Sequence, residues 1–127
     1  MLISCFCFVF FSKISVPSRS PYIERIKSVG YNSIWLRWSK LHKEETWETL
    51  RGYRIHIFKA YFNGSQSFYR KITVGPDVTA YNVTGLPAGT NFRVSVAGFT
   101  AGGEGIQSYR TRISTSKYFK LLLLVSL

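Results

Sequence analysis

At 127 residues the chain has the length of one ordinary domain, a size at which about two-thirds of the unfolded surface is buried on folding and a core needs no covalent staple. Its 46% apolar and 17% aromatic content excludes intrinsic disorder. Seventeen Lys and Arg against six Asp and Glu give a net charge of +11, but the basic residues stand singly from Lys13 to Lys120 and never run longer than Arg70-Lys71, which argues against a nucleic-acid partner.

The chain opens on an apolar block, Leu2 to Phe11 (LISCFCFVFF), long enough for the core of a signal peptide and short of the roughly 20 residues that span a bilayer. No Lys or Arg precedes it, and the following SKISVPSRS offers only Ser15 or Ser18 as small residues, so its flanks argue against a working signal peptide. Cys5 and Cys7 lie in this block, too close together to staple a loop and too few to hold a metal, and they read as small apolar residues. Residues 1–20 are therefore assigned to an N-terminal segment outside the fold, a signal-peptide candidate or the edge of a longer product.

From Pro21 to Thr115 the pattern changes to short alternating runs between turn residues, and no window keeps a helical period beyond two turns. A first strand is expected around Tyr22 to Val29. Ser33 to Trp38 then sets Ile34, Leu36 and Trp38 on one face and Trp35 and Arg37 on the other. A polar loop, SKLHKEETWETL, carries His42, Glu44, Glu45 and Glu48, after which Arg51 to Lys59 repeats the alternation with Tyr53, Ile55 and Ile57 inward. Asn63-Gly64 favours positive φ and a tight hairpin into SFYRKITV, which Gly75-Pro76-Asp77 breaks. Tyr81 and Val83 point inward, Leu86 follows a turn, and Phe92, Val94, Val96 and Gly98 alternate with outward Arg93, Ser95 and Ala97. A last strand falls near Ser108 to Ser114. Seven strands at this spacing predict an all-β, two-sheet sandwich over residues 21–115. Residues 116–127 form a basic and apolar tail in which Lys120 is followed by LLLLVSL, read as the truncated start of a membrane segment.

The order of certain features is more specific than the spacing. Pro21 stands at the start, Trp38 ends the second strand and Gly52-Tyr53 opens the third. Leu86-Pro87-x-Gly89-Thr90-x-Phe92 makes a corner, and Val94-x-Val96 and Gly103-x-Gly105-x-x-Ser108 follow. In this order they resemble the fibronectin type III domain, a seven-stranded immunoglobulin-like β-sandwich. Each feature has its own physical reason. Trp38 is a plug between sheets that buries on the order of 200 Å². Leu86 caps the core, while Pro87 holds φ near about −65° and Gly89 supplies the freedom the corner demands. Two positions depart from the family's pattern: Phe92 stands where it has Tyr, and Gly98, read as trimming the core, stands where it has Ala. The first forgoes a corner hydrogen bond worth about 0.5–1.5 kcal/mol. Phe92→Tyr is accordingly expected to raise the unfolding midpoint, and an unchanged or lower midpoint would count against this reading of the corner.

Nothing in the chain reads as catalytic. His42 and His56 are the only histidines, neither G-x-S-x-G nor H-E-x-x-H occurs, and the loop glutamates face no second carboxylate, so no enzyme, cofactor or metal site is expected. Ala101 to Gly105 is glycine-rich, but it precedes a strand instead of a helix and carries Glu104, so it reads as a turn and not a phosphate cradle. Asn63-Gly64-Ser65 and Asn82-Val83-Thr84 both fit the N-glycosylation acceptor. The third, sixth and seventh strands are expected to expose a basic contact face of Arg54, His56, Arg93 and Arg110 or Arg112, with Phe58 among them. The resemblance implies a non-catalytic protein-interaction or adhesion module, a piece of a larger cell-surface or extracellular protein that meets the membrane only through that parent. Two alternatives are an intracellular structural repeat, as in giant muscle proteins that resemble the same family, and a module for heparin or another sulfated polysaccharide. A shared sandwich hosts many unrelated interfaces, so no particular partner follows from it.

Overall fold

The computed structural model describes residues 16–42 and 49–117. The apolar block with Cys5 and Cys7, the glutamates 44, 45 and 48, and the LLLLVSL tail lie outside the described residues. The chain forms two antiparallel layers. In one, β1 (Ile23–Val29), β2 (Ser33–Trp38) and β5 (Ala80–Val83) run in the order β1-β2-β5. In the other, β3 (Gly52–Ala60) lies between β4 (Gln66–Val74) and β6 (Asn91–Thr100), whose far edge takes both β7 (Gly103–Glu104) and β8 (Thr111–Ser114).

Two-residue alternation is what forces these layers together. Ile34, Leu36 and Trp38 of β2, Tyr53, Ile55 and Ile57 of β3, and Phe92, Val94 and Val96 of β6 fill one core and are at most 1% exposed. The alternate residues of each strand turn to the outer faces. Trp38 packs edge-on against Tyr53 with ring centroids 5.6 Å apart, and the Tyr53 hydroxyl accepts the Leu41 N–H at 2.9 Å. Tyr81 shares the inner face, opposite Leu36, but its place on the short edge strand β5 leaves it 37% exposed where the alternation predicts burial.

The expected seventh strand is present in two pieces, which makes eight strands among the described residues. β7 pairs Gly103 and Glu104 with Thr100 and Phe99, and β8 pairs Thr111 to Ser114 with Val94 to Asn91. Between the pieces the chain bulges yet stays bonded to β6. The Gly105 N–H reaches Gly98 O at 2.8 Å and the Ser108 N–H reaches Val96 O at 2.8 Å. The Val96 N–H donates to Ser108 Oγ at 3.0 Å, so a side chain substitutes for the backbone acceptor that the bulge removes. This is the physical use of the Gly-x-Gly-x-x-Ser pattern.

Two expectations about packing change. At the corner, Gly85 and Gly89 take positive φ (71° and 58°), and Phe92 is buried without a hydroxyl. Thr115 closes the corner: its Oγ1 donates to Pro87 O at 2.7 Å and accepts the Thr90 N–H at 3.0 Å. Gly98 does not leave the core loose. A Cβ there would lie 2.6 Å from Leu41 Cδ1 and 3.1 Å from Leu50 Cδ1, so the two leucines already occupy the space. Pro17, assigned by its sequence position to a segment outside the fold, is fully buried, and a Cβ on Gly105 would lie 2.5 Å from its carbonyl.

A candidate protein-contact face

The outward face of β4-β3-β6-β8 is built by register. Arg54, His56 and Phe58 alternate along β3; His56 lies opposite Lys71 on β4 and Ser95 on β6, and Phe58 lies opposite Phe68 and Arg93. Arg93 in turn lies opposite Arg112 on β8, and Arg110 stands just before that strand on the same side. The five basic residues expected on one face are thus on one face, but they form two groups of different character.

Near β7 the arginine is matched by a carboxylate. Glu104 presents both carboxylate oxygens 2.9 Å from His56 Nε2, which as the N–H in this contact is the donor, and Arg54 Nη1 stands 3.7 Å from Glu104 Oε1. The Arg54 guanidinium also lies over the Phe99 ring, 4.3 Å from its centroid. His56, expected in the open, is only 8% exposed. The reason is its position on an inner strand of its sheet, walled by both neighbouring strands and covered by Glu104. Ser95 and Ala97, outward on the next inner strand, are buried as well, and the Ser95 hydroxyl donates to Gln107 Oε1 at 2.8 Å. Sequence reasoning misses Glu104 as a site residue, because its glycine-rich surroundings look like a free turn.

Near the β3–β4 hairpin the cations are not matched. The Arg110 guanidinium stacks on Phe58, 3.8 Å from the ring centroid, and its Nη1–H donates to Gln66 Oε1 at 2.9 Å. Phe58 meets Phe68 edge-on at 5.9 Å. Among the described residues, no carboxylate lies within ion-pair distance of Arg93, Arg110 or Arg112, and Arg93 Nε is buried without a hydrogen-bond partner. The hairpin tip brings up Tyr61 and the fully exposed Phe62, and a cavity of about 370 Å³ opens between this tip, Asn91 and Arg93 of β6, and Arg112 and Ser114 of β8. Tyr61 and Phe62 also escape sequence reasoning, although two aromatics directly before an Asn-Gly turn have no inner face to occupy.

The two glycosylation acceptors differ in setting. Asn63 sits at the hairpin tip, where its Oδ1 accepts the Ser65 N–H at 3.0 Å and the Ser65 hydroxyl at 2.6 Å, and Gly64 takes φ 85°. Asn82 is exposed on β5, opposite Trp35 on the outer face of the smaller sheet. No three His, Cys, Asp or Glu side chains converge among the described residues.

A family model described as the fibronectin type III domain matches residues 19–114. The chain is 26% identical over 102 residues to the cell adhesion molecule DSCAML1 of Homo sapiens, and equally to that of Gallus gallus, a match that takes in 80% of this chain and 5% of each relative. The chain therefore spans about one-twentieth of the length of these curated relatives. Among solved structures, the third fibronectin III domain of human KIAA0343 superposes with a TM-score of 0.71 at 19% identity, covering 81% of this chain and 86% of that one. The FN1–FN3 domains of chicken CNTN1 superpose with a TM-score of 0.68 at 19% identity, covering 80% of this chain and 33% of that one.

Proposed function

Because the chain belongs to the fibronectin type III family across residues 19–114, we propose that it is a non-catalytic protein-contact module of a larger adhesion protein at the cell surface. The observation that carries this reading is the match to the cell adhesion molecule DSCAML1 over 80% of the chain. The open face agrees with it in composition, since exposed aromatics and arginines are the residue types enriched at protein interfaces. The full-length parent is expected to be labelled on intact animal cells by a membrane-impermeant amine reagent. A parent labelled only after lysis would overturn the reading and favour an intracellular repeat.

An extracellular setting also gives Asn63 and Asn82 a use. Both are exposed, and at the hairpin tip the Ser65 hydroxyl of the triplet already donates to the Asn63 side chain. When the chain is secreted from animal cells behind a supplied leader, glycosidase treatment is expected to lower its intact mass, and Asn63→Gln to remove the larger share of that shift. Secreted protein with no change in mass would remove both glycan sites.

A further inference from the structure

We propose that the cavity between the β3–β4 hairpin and the adjoining ends of β6 and β8 receives a carboxylate-bearing segment of a protein partner, with an Asp or Glu side chain held between Arg93 and Arg112 and an apolar neighbour laid on Tyr61 and Phe62. The inference rests on the contact reading above and names the site and the partner chemistry within it.

Electrostatics supplies the first argument. Arg93 and Arg112 are directly opposite on paired strands, where facing side chains have Cβ atoms about 4.5–5.5 Å apart and like charges are destabilising. Two other sheet arginines do meet a carboxylate: Arg37 meets Glu24 at 3.2 Å, and Arg54 meets Glu104 at 3.7 Å. The Arg93–Arg112 pair has no such partner among the described residues, and Arg110 beside it adds a third positive charge. One carboxylate between the two guanidinium groups relieves their repulsion. Arginine forks match carboxylates bidentately, which makes this pairing geometrically specific as well as favourable.

The surroundings decide which anion. Phe62 is fully exposed, Tyr61 is half exposed and Phe68 more than half, and all three lie on the hairpin or its outgoing strand beside the arginines. A sulfated polysaccharide satisfies arginines but leaves an apolar surface of this kind largely unused. A peptide segment with acidic and apolar side chains covers both, in the pattern of an aromatic and arginine centre inside a polar rim formed here by Asn91, Ser114 and Gln66. The cavity volume of about 370 Å³ suits one or two side chains.

The test uses the whole chain made in bacteria, so that Asn63 is bare, with amide resonances followed by NMR. The probes are the blocked hexapeptide Gly-Leu-Glu-Phe-Glu-Gly, the same peptide with both Glu replaced by Gln, and a heparin tetrasaccharide. The acidic peptide is expected to shift the amides of Tyr61, Phe62, Arg93 and Arg112, and to bind about tenfold more tightly than its Gln counterpart, the effect of one charge-assisted hydrogen bond. Arg93→Gln with Arg112→Gln should abolish that preference. Phe62→Ala, a change at a fully exposed side chain, should weaken both peptides. Arg25→Gln with Lys27→Gln, the same loss of charge on β1, should leave the preference intact, and dispersed spectra confirm that each variant is folded. Equal binding of the two peptides, no localised shift with either, or an equal loss in the β1 variant overturns the proposal. Localised shifts with the tetrasaccharide and none with the acidic peptide overturn it in favour of a polysaccharide site. Labelling of the parent on intact cells is independent of all these outcomes, so the site can fail while the contact reading stands.

Discussion

Replacing Trp38 by alanine is expected to lower the unfolding free energy by about 3–5 kcal/mol, the usual result of emptying a buried tryptophan site. Trp38 is 1% exposed, lies in the cluster shared by β2, β3 and β6, and meets Tyr53 edge-on. Domains of this size are stable by about 5–15 kcal/mol, so the loss takes a large share of the total and moves the thermal midpoint down by on the order of 20 °C. Phenylalanine at the same site is expected to cost only about 1 kcal/mol. It leaves a small void but also removes an indole N–H that is buried with no hydrogen-bond partner among the described residues. Urea unfolding of the two variants checks the pair. If Trp38→Phe costs as much as Trp38→Ala, the indole is held by a bond instead of by its volume.

Gly52→Ala is expected to be the second most damaging change, costing about 2–3 kcal/mol by overpacking. A Cβ on Gly52 would sit 2.0 Å from the Val74 carbonyl oxygen and 2.9 Å from Phe99 Cε1. The first neighbour is backbone on the adjacent strand, so the β3–β4 ladder must open at its end, next to the Tyr53–Val74 pair, before any side chain can relax. Gly75 is the internal control. It has nothing within 4 Å of an added Cβ and no positive φ, so Gly75→Ala should be neutral or raise stability by about a few tenths of a kcal/mol through the unfolded chain. Equal stability of the two alanine variants would remove the close approach of β3 to β4 as the reason for Gly52.

What is legible in the sequence is what depends on periodicity and on side-chain volume. Alternation and corner chemistry assign Trp38, Tyr53, Leu86 and Phe92 to the core, and all four are buried. Alternation likewise assigns the basic face, and Arg54, Arg93, Arg110 and Arg112 do share one side of one sheet. What alternation does not contain is lateral neighbourhood. His56 points outward as its position requires, yet it is covered because its strand is an inner one, and only sheet order reveals that. Glu104 reaches His56 across a separation of 48 residues, through a two-residue strand hidden in a glycine-rich stretch. Gly98 departs from expectation for a related reason: the space beside it is filled by Leu41 and Leu50, which no local pattern connects to it. Tyr61 and Phe62 lie at a turn, where neither two-residue nor helical periodicity assigns a face.

The antiparallel pairings also fix how this module meets tension. β1 and β8 run the same way, since the chain just after β8 returns to the end of β1, where the Ser116 N–H reaches Gly30 O. A pull applied at the start of the first strand and the end of the last is therefore directed along both strands, in opposite senses. The β1–β2 ladder, with pairs from Ile23↔Trp38 to Val29↔Ser33, and the β6–β8 ladder, from Asn91↔Ser114 to Val94↔Thr111, are then strained in shear. In shear the bonds of a ladder share the force and must fail together, whereas in peeling they break in succession. A sandwich with this strand order is stiff to a pull applied at its two ends, and carries that pull as a unit before it yields.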